Sequence, residues 1–172
     1  MNKFLQKIGL IKIFEINLNI TRSEFVEKLS RLTEAGSPEM FANPLEALSS
    51  GSSEFKGIVN QEGFRIKRKK RIFKANLNLA IAEGKYAEIG RNLTITTEIC
   101  GLNKFFKFIC VFFFIFYLVV AIMLDLSGDA NSVAFIPFIF IHAIIVYTIL
   151  YFILNFSAAK LKKVILSNFE SF

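Results

Sequence analysis

At 172 residues, 53% apolar and with a formal charge of +7, the chain has room for one small domain beside any membrane segment. One histidine and two cysteines leave no His-rich metal site and no disulfide scaffold to expect. With no Gly-rich phosphate loop, nucleophile elbow or HExxH motif, the sequence points to a protein that is not an enzyme and carries no cofactor or metal.

The first residues, through Lys12, are interrupted by Lys3 and Lys7 and lack a clean apolar core with a small-residue cleavage site, so no signal peptide is predicted. Leu10 to Thr21 then alternates. Leu10, Lys12, Phe14, Ile16, Leu18 and Ile20 fall on one face of a half-buried strand, and Glu15, Asn17, Asn19 and Thr21 on the other. Thr21 and Glu24 have the spacing of a capping box. It opens a helix whose apolar face is Phe25, Val26, Leu29 and Leu32.

Gly36 and Pro38 end that helix, and residues 35–53 read as a flexible loop. From Glu54 the period returns to two. Strands are predicted over Phe55 to Val59, Phe64 to Ile72, Asn76 to Ala82, Lys85 to Ile89 and Leu93 to Ile99, with breaks at Glu83-Gly84 and at Gly90-Arg-Asn92. The soluble part, residues 1–101, is therefore expected to be a small α+β domain, an antiparallel β-meander with one N-terminal helix.

Two long apolar runs follow. Phe108 to Leu124 contains no charge, and residues 105–126 as a helix cover about 33 Å, enough for a hydrocarbon core. Val133 to Leu154 has nothing more polar than His142 and Thr148. With only residues 127–132 as an outer loop, the pair reads as a transmembrane hairpin of spans 105–126 and 133–156. A basic tail follows over 157–172, where Leu161, Val164 and Ile165 at helical spacing either continue the second helix or lie on the interface. Lys85, Arg91, Lys104 and Lys107 precede it, and Lys160, Lys162 and Lys163 follow it. The positive-inside rule therefore puts both termini in the cytoplasm, and Cys100 in the cytoplasmic domain and Cys110 inside the first span are expected to stay reduced.

Two constellations stand out. Arg65-Ile-Lys-Arg-Lys-Lys-Arg-Ile-Phe-Lys74 packs seven cations into ten residues. Its candidate anion-contact residues are Arg65, Lys67, Arg68, Lys69, Lys70 and Arg71, which would meet anionic membrane lipids of the inner leaflet. The same run also reads as a solvated edge strand whose lysines prevent aggregation, and it points away from nucleic acid. The second constellation is intramembrane. His142 lies near the centre of the second span, and a symmetric hairpin puts Tyr117 opposite it as a hydrogen-bond partner.

Phe64-Arg-Ile-Lys-Arg68, Asn76-x-x-Leu79, Gly84 and a Leu93 to Ile99 strand running into a membrane hairpin resemble a loose group of uncharacterised bacterial two-pass membrane proteins. The resemblance covers about Phe55 to Leu126. It implies a small cytoplasmic β-rich domain, comparable to pleckstrin-homology-like modules, at the bacterial inner membrane, with no catalytic residues to carry over. The expectation is a non-enzymatic regulatory or scaffold protein whose domain contacts anionic headgroups or a protein partner. Two alternatives remain beside it: a ligand-triggered membrane-disrupting effector that forms a homo-oligomer through its hairpin, and an accessory subunit of a membrane complex.

Overall fold

The computed structural model describes residues 2–39, 53–69, 79–102, 104–126 and 135–172. In chain order the elements are helix α1 (Asn2–Lys7), strand β1 (Ile11–Leu18), helix α2 (Arg22–Leu32) and strands β2 (Thr33–Ala35), β3 (Phe55–Val59), β4 (Gly63–Arg68), β5 (Ile81–Ile89) and β6 (Asn92–Cys100). Helices α3 (Lys104–Leu126) and α4 (Ile136–Phe169) complete the chain. The architecture is α+β with two apolar helices, as the residue pattern predicts.

The chain divides into two compact units. One comprises Met1–Gly101 together with Leu154–Phe172, and the other is Leu102–Ile153. In the first, six strands form a single sheet in the order β1-β6-β5-β4-β3-β2. All neighbours are antiparallel except β2 and β3, which run parallel, so the sheet is mixed rather than a pure antiparallel meander. β2 and β3 are separated by residues 36–54, a connection of the length that a parallel pair requires and a tight hairpin does not.

α2 begins where its capping box predicts, with the Glu24 backbone N–H donating to Thr21 Oγ1 and the Thr21 backbone N–H donating to the Glu24 carboxylate. Phe25 and Leu29 point into the core. The hairpin between β5 and β6 turns through Gly90 and Arg91, and Gly90 takes the positive φ (+64°) that such a short turn favours.

The break expected at Glu83-Gly84 is absent, and one strand runs through it. Gly84 opposes Phe64 across the β4–β5 ladder. A Cβ on Gly84 would lie 2.1 Å from the Phe64 ring, so the glycine makes room for an aromatic side chain instead of turning the chain.

Residues 157–172 are the basic tail, for which the sequence leaves two readings, a continuation of the second helix or a segment on the interface, and the structure shows the first. α4 continues without interruption to Phe169, and Ala158, Leu161, Ile165 and Phe169 lie in the domain core beside Phe25, Leu29, Phe55, Ile66, Leu93, Ile95 and Ile99. The spacing of these four residues on a helix keeps them on one stripe, while Lys163 and Ser167 face outward. Residues 1–101 alone are therefore not the whole domain. Phe169 stacks edge-on against both Phe25 (4.9 Å) and Phe64 (5.8 Å). Ser157 adds a polar tie: its Oγ accepts from the backbone N–H groups of Leu79 (2.9 Å) and Ala80 (3.0 Å).

In the second unit the two helices run antiparallel, since Tyr147 donates to the Cys110 carbonyl (2.8 Å) while His142 meets Tyr117. Phe106–Leu126 and α4 are both long and apolar enough to cross a membrane. Their outward side chains are mostly large hydrophobics, including Phe108, Phe112, Phe114, Phe138 and Phe140.

Candidate functional site: the basic run and the interhelical polar pair

The basic run enters the sheet as β4. With β5 on one side and β3 on the other, β4 is an interior strand, so the edge-strand reading does not hold. Alternation sends Phe64 and Ile66 into the core and puts Arg65 and Lys67 on the opposite face, opposite Glu83 and Ile81 of β5.

There the cations meet acids of the same domain. Arg65 donates to Glu39 (2.9 Å) and to Glu83 (2.7 Å). Burial alone would lower the Arg65 pKa, but the bonds to the two carboxylates outweigh it and raise it above the usual arginine value. Lys67 donates to the Glu39 carbonyl (3.2 Å) and is only 3% exposed. Lys69, also 3% exposed, pairs with Glu34 and holds that carboxyl below its ordinary value. Arg68 donates to Glu54 (3.1 Å), which in turn accepts from Asn168 of α4 (3.2 Å).

Four of the six candidate residues are thus tied to acids or carbonyls of the domain itself, and two of the four lysines and arginines are buried. An ammonium that must reach a phosphate cannot also stay under the domain surface. Lys70 and Arg71 lie outside the described residues, as do Asn76, residues 40–52 of the expected loop and the expected outer loop. The acids that neutralise the run come from β2, the segment after it, the residue before β3, and β5. No local sequence signal connects them, which is why the run looks unopposed in the sequence.

The second constellation is brought together. Tyr117 Oη lies 2.9 Å from His142 Nδ1, with the rings edge-on at 5.9 Å. Whichever partner carries the shared proton, the bond satisfies two polar groups on otherwise apolar helices. Sequence reasoning missed the companion bond from Tyr147 to the Cys110 carbonyl. The same antiparallel register that pairs His142 with Tyr117 would have pointed to it.

Tyr86 is the remaining unusual polar group. Its ring packs edge-on against Phe25 (5.5 Å), and its hydroxyl is buried without a hydrogen-bond partner among the described residues. Burial pushes the phenol pKa well above its ordinary value.

No protein-family profile, curated protein or solved structure matches the chain.

Proposed function

We propose that the chain is a two-pass membrane protein of the bacterial inner membrane. Its helix pair anchors a cytoplasmic α+β domain that works by binding, as a scaffold or regulator at the lipid surface, rather than by catalysis. One observation carries the reading: the domain is assembled from residues on both sides of the apolar pair, Met1–Gly101 and Leu154–Phe172. Both segments must therefore lie on the same side of any membrane the helices enter, and two crossings return the chain to the side it left. The bonds from Tyr117 to His142 and from Tyr147 to Cys110 satisfy polar groups between the helices, as a lipid environment requires. Cytoplasmic placement follows from the positive-inside rule applied to Lys104 and Lys107 before the pair and Lys160, Lys162 and Lys163 after it. The bacterial compartment follows from the resemblance described above.

The test is thiol mapping in bacterial cells, in a chain whose Cys100 and Cys110 are changed to Ala. A membrane-impermeant maleimide is expected to label Asn131→Cys in cells with a permeabilised outer envelope, and Arg91→Cys or Lys163→Cys only after the inner membrane is opened. The protein is expected to stay in the pellet under alkaline carbonate. Carbonate extraction, or labelling of position 91 and not 131 in closed cells, would refute the reading.

A further inference from the structure

With Lys67 and Lys69 buried, a lipid-facing surface must be sought elsewhere on the domain. The chain leaves the domain at Gly101 and returns to it at Leu154, and these two residues are in contact. The turn that leaves helix α1, through Gly9 and Leu10, sits at this same edge. The Leu10 carbonyl accepts from the Gly101 N–H (2.9 Å), and a Cβ on Gly9 would meet the Asn155 side-chain oxygen at 3.2 Å. α3 begins only three residues beyond Gly101, a reach of about 10 Å at most. Chain connectivity alone therefore limits how far the C-terminal end of α1 can lie from where the helices enter a membrane.

The composition of this edge fits a headgroup layer. α1 buries Leu5 but leaves Phe4 65% exposed between exposed Lys3 and Lys7, and it contains no acid in its first turn. Just past Leu154, Phe156 is 71% exposed, with the Lys160 ammonium over its ring at 5.9 Å. Exposed aromatic rings flanked by lysines, in a domain whose other described phenylalanines are buried or partly buried, match an interface where rings enter the acyl boundary and ammonium groups stay with phosphates.

We infer that Lys3, Phe4 and Lys7 of α1, with Phe156 and Lys160, form a surface that seats the domain on anionic lipid headgroups of the membrane holding the hairpin. The inference rests on the two-pass reading and adds to it the surface and the ligand: lipid phosphates carrying net negative charge. Each ammonium near such a surface strengthens contact by about fivefold, so the seat is set by charge as well as by Phe4.

The test uses the full chain in nanodiscs with zero or 40% anionic lipid, an amount chosen to exceed about what a cytoplasmic leaflet carries. An environment-sensitive fluorophore is placed at Gln6→Cys, with Cys100 and Cys110 changed to Ala, and is quenched by lipids spin-labelled near the headgroup. A control fluorophore at Phe112→Cys, read with lipids spin-labelled along the acyl chain, reports whether α3 is in the bilayer. Quenching at position 6 is expected to rise at least about twofold with anionic lipid, to weaken with salt, and to be lost in Lys3→Glu/Lys7→Glu and reduced in Phe4→Ser. Quenching at position 112 with none at position 6, or quenching at position 6 that ignores lipid charge, would overturn the inference while leaving the two-pass reading standing. Absence of quenching at position 112 would overturn both.

Discussion

Gly101 and Leu154 touch within the domain although the whole apolar pair separates them in sequence: a Cβ on Gly101 would lie 2.8 Å from the Leu154 carbonyl oxygen. Residues 102–153 are therefore an excursion from a structure that closes without them. A flexible linker of about five residues, spanning on average about 12 Å, is expected to replace them and give a soluble, cooperatively folding domain. Residues 1–101 alone, lacking Ala158, Leu161, Ile165 and Phe169, are expected to stay unfolded. Circular dichroism and urea unfolding of the two proteins check this, and equal cooperativity in both would refute it.

Ser157 offers the sharpest single-atom test of how α4 is held. Its hydroxyl accepts two buried backbone N–H groups, and each donor left without a partner costs about 1–3 kcal/mol. Ser157→Ala is expected to lower unfolding stability of the linker-joined domain by about 2 kcal/mol or more. Ser157→Thr, which keeps the oxygen, is expected to lose less.

Tyr86 predicts the opposite sign. Removing a buried hydroxyl that has no partner among the described residues leaves the aromatic packing in place and removes a desolvation cost of about 1 kcal/mol. Tyr86→Phe is expected to be neutral or stabilising by thermal unfolding, whereas Tyr86→Ala opens a cavity and destabilises by about 3 kcal/mol or more.

The pairing of Lys69 with Glu34 makes the domain acid-sensitive. The hydrogen bond from Lys69 holds the Glu34 carboxyl below its ordinary value of 4.5, and bonds from Thr21 do the same for Glu24. A carboxyl with a lower pKa in the folded state stabilises fully above its unfolded value, and that contribution is lost as pH falls through the folded value. Unfolding stability is thus expected to be flat near neutrality and to decline below about pH 4.5. Glu34→Gln should reduce stability at neutral pH and make the acid decline shallower.

Lys67 and Lys69 separate structural cations from the proposed lipid-facing ones. Changing both to Gln is expected to destabilise the domain, because their Glu39 and Glu34 partners lose charge-assisted bonds. The anionic-lipid dependence at position 6 should be unchanged under conditions where the variant is folded. A loss of that dependence in a folded variant would return the basic run to the role its sequence suggests.

What the sequence makes legible is what is written in local periodicity. The Thr21–Glu24 capping box, the alternation of Phe14, Ile16 and Leu18, the turn at Gly90 and the length of the apolar helices each need only a dozen neighbouring residues to recognise. Three features were harder to read. Gly84 carries a turn signal, yet its reason is the Phe64 ring on the neighbouring strand. The stripe Leu154, Ala158, Leu161, Ile165, Phe169 is present in the sequence at helical spacing, but Lys160, Lys162 and Lys163 between its members give the segment the look of a surface tail. The ion pairs of β4 join residues up to tens of positions apart, and only the folded sheet shows them. The polar pair of Tyr117 and His142 was accessible because antiparallel symmetry turns sequence distance into spatial position.

The dual membership of α4 also sets an order of events during synthesis. Leu154–Phe172 leave the ribosome only after both apolar stretches, so the sheet waits for its covering helix for several seconds at an ordinary elongation rate of about 5–20 residues per second. Through that interval Phe64, Ile66, Leu93 and Ile95 have no α4 side chains over them. Maturation of the domain is thereby tied to completion of both helices. In the proposed two-pass arrangement, a chain whose second helix strays to the wrong side carries its own covering segment away and presents an unfinished sheet to chaperones and proteases.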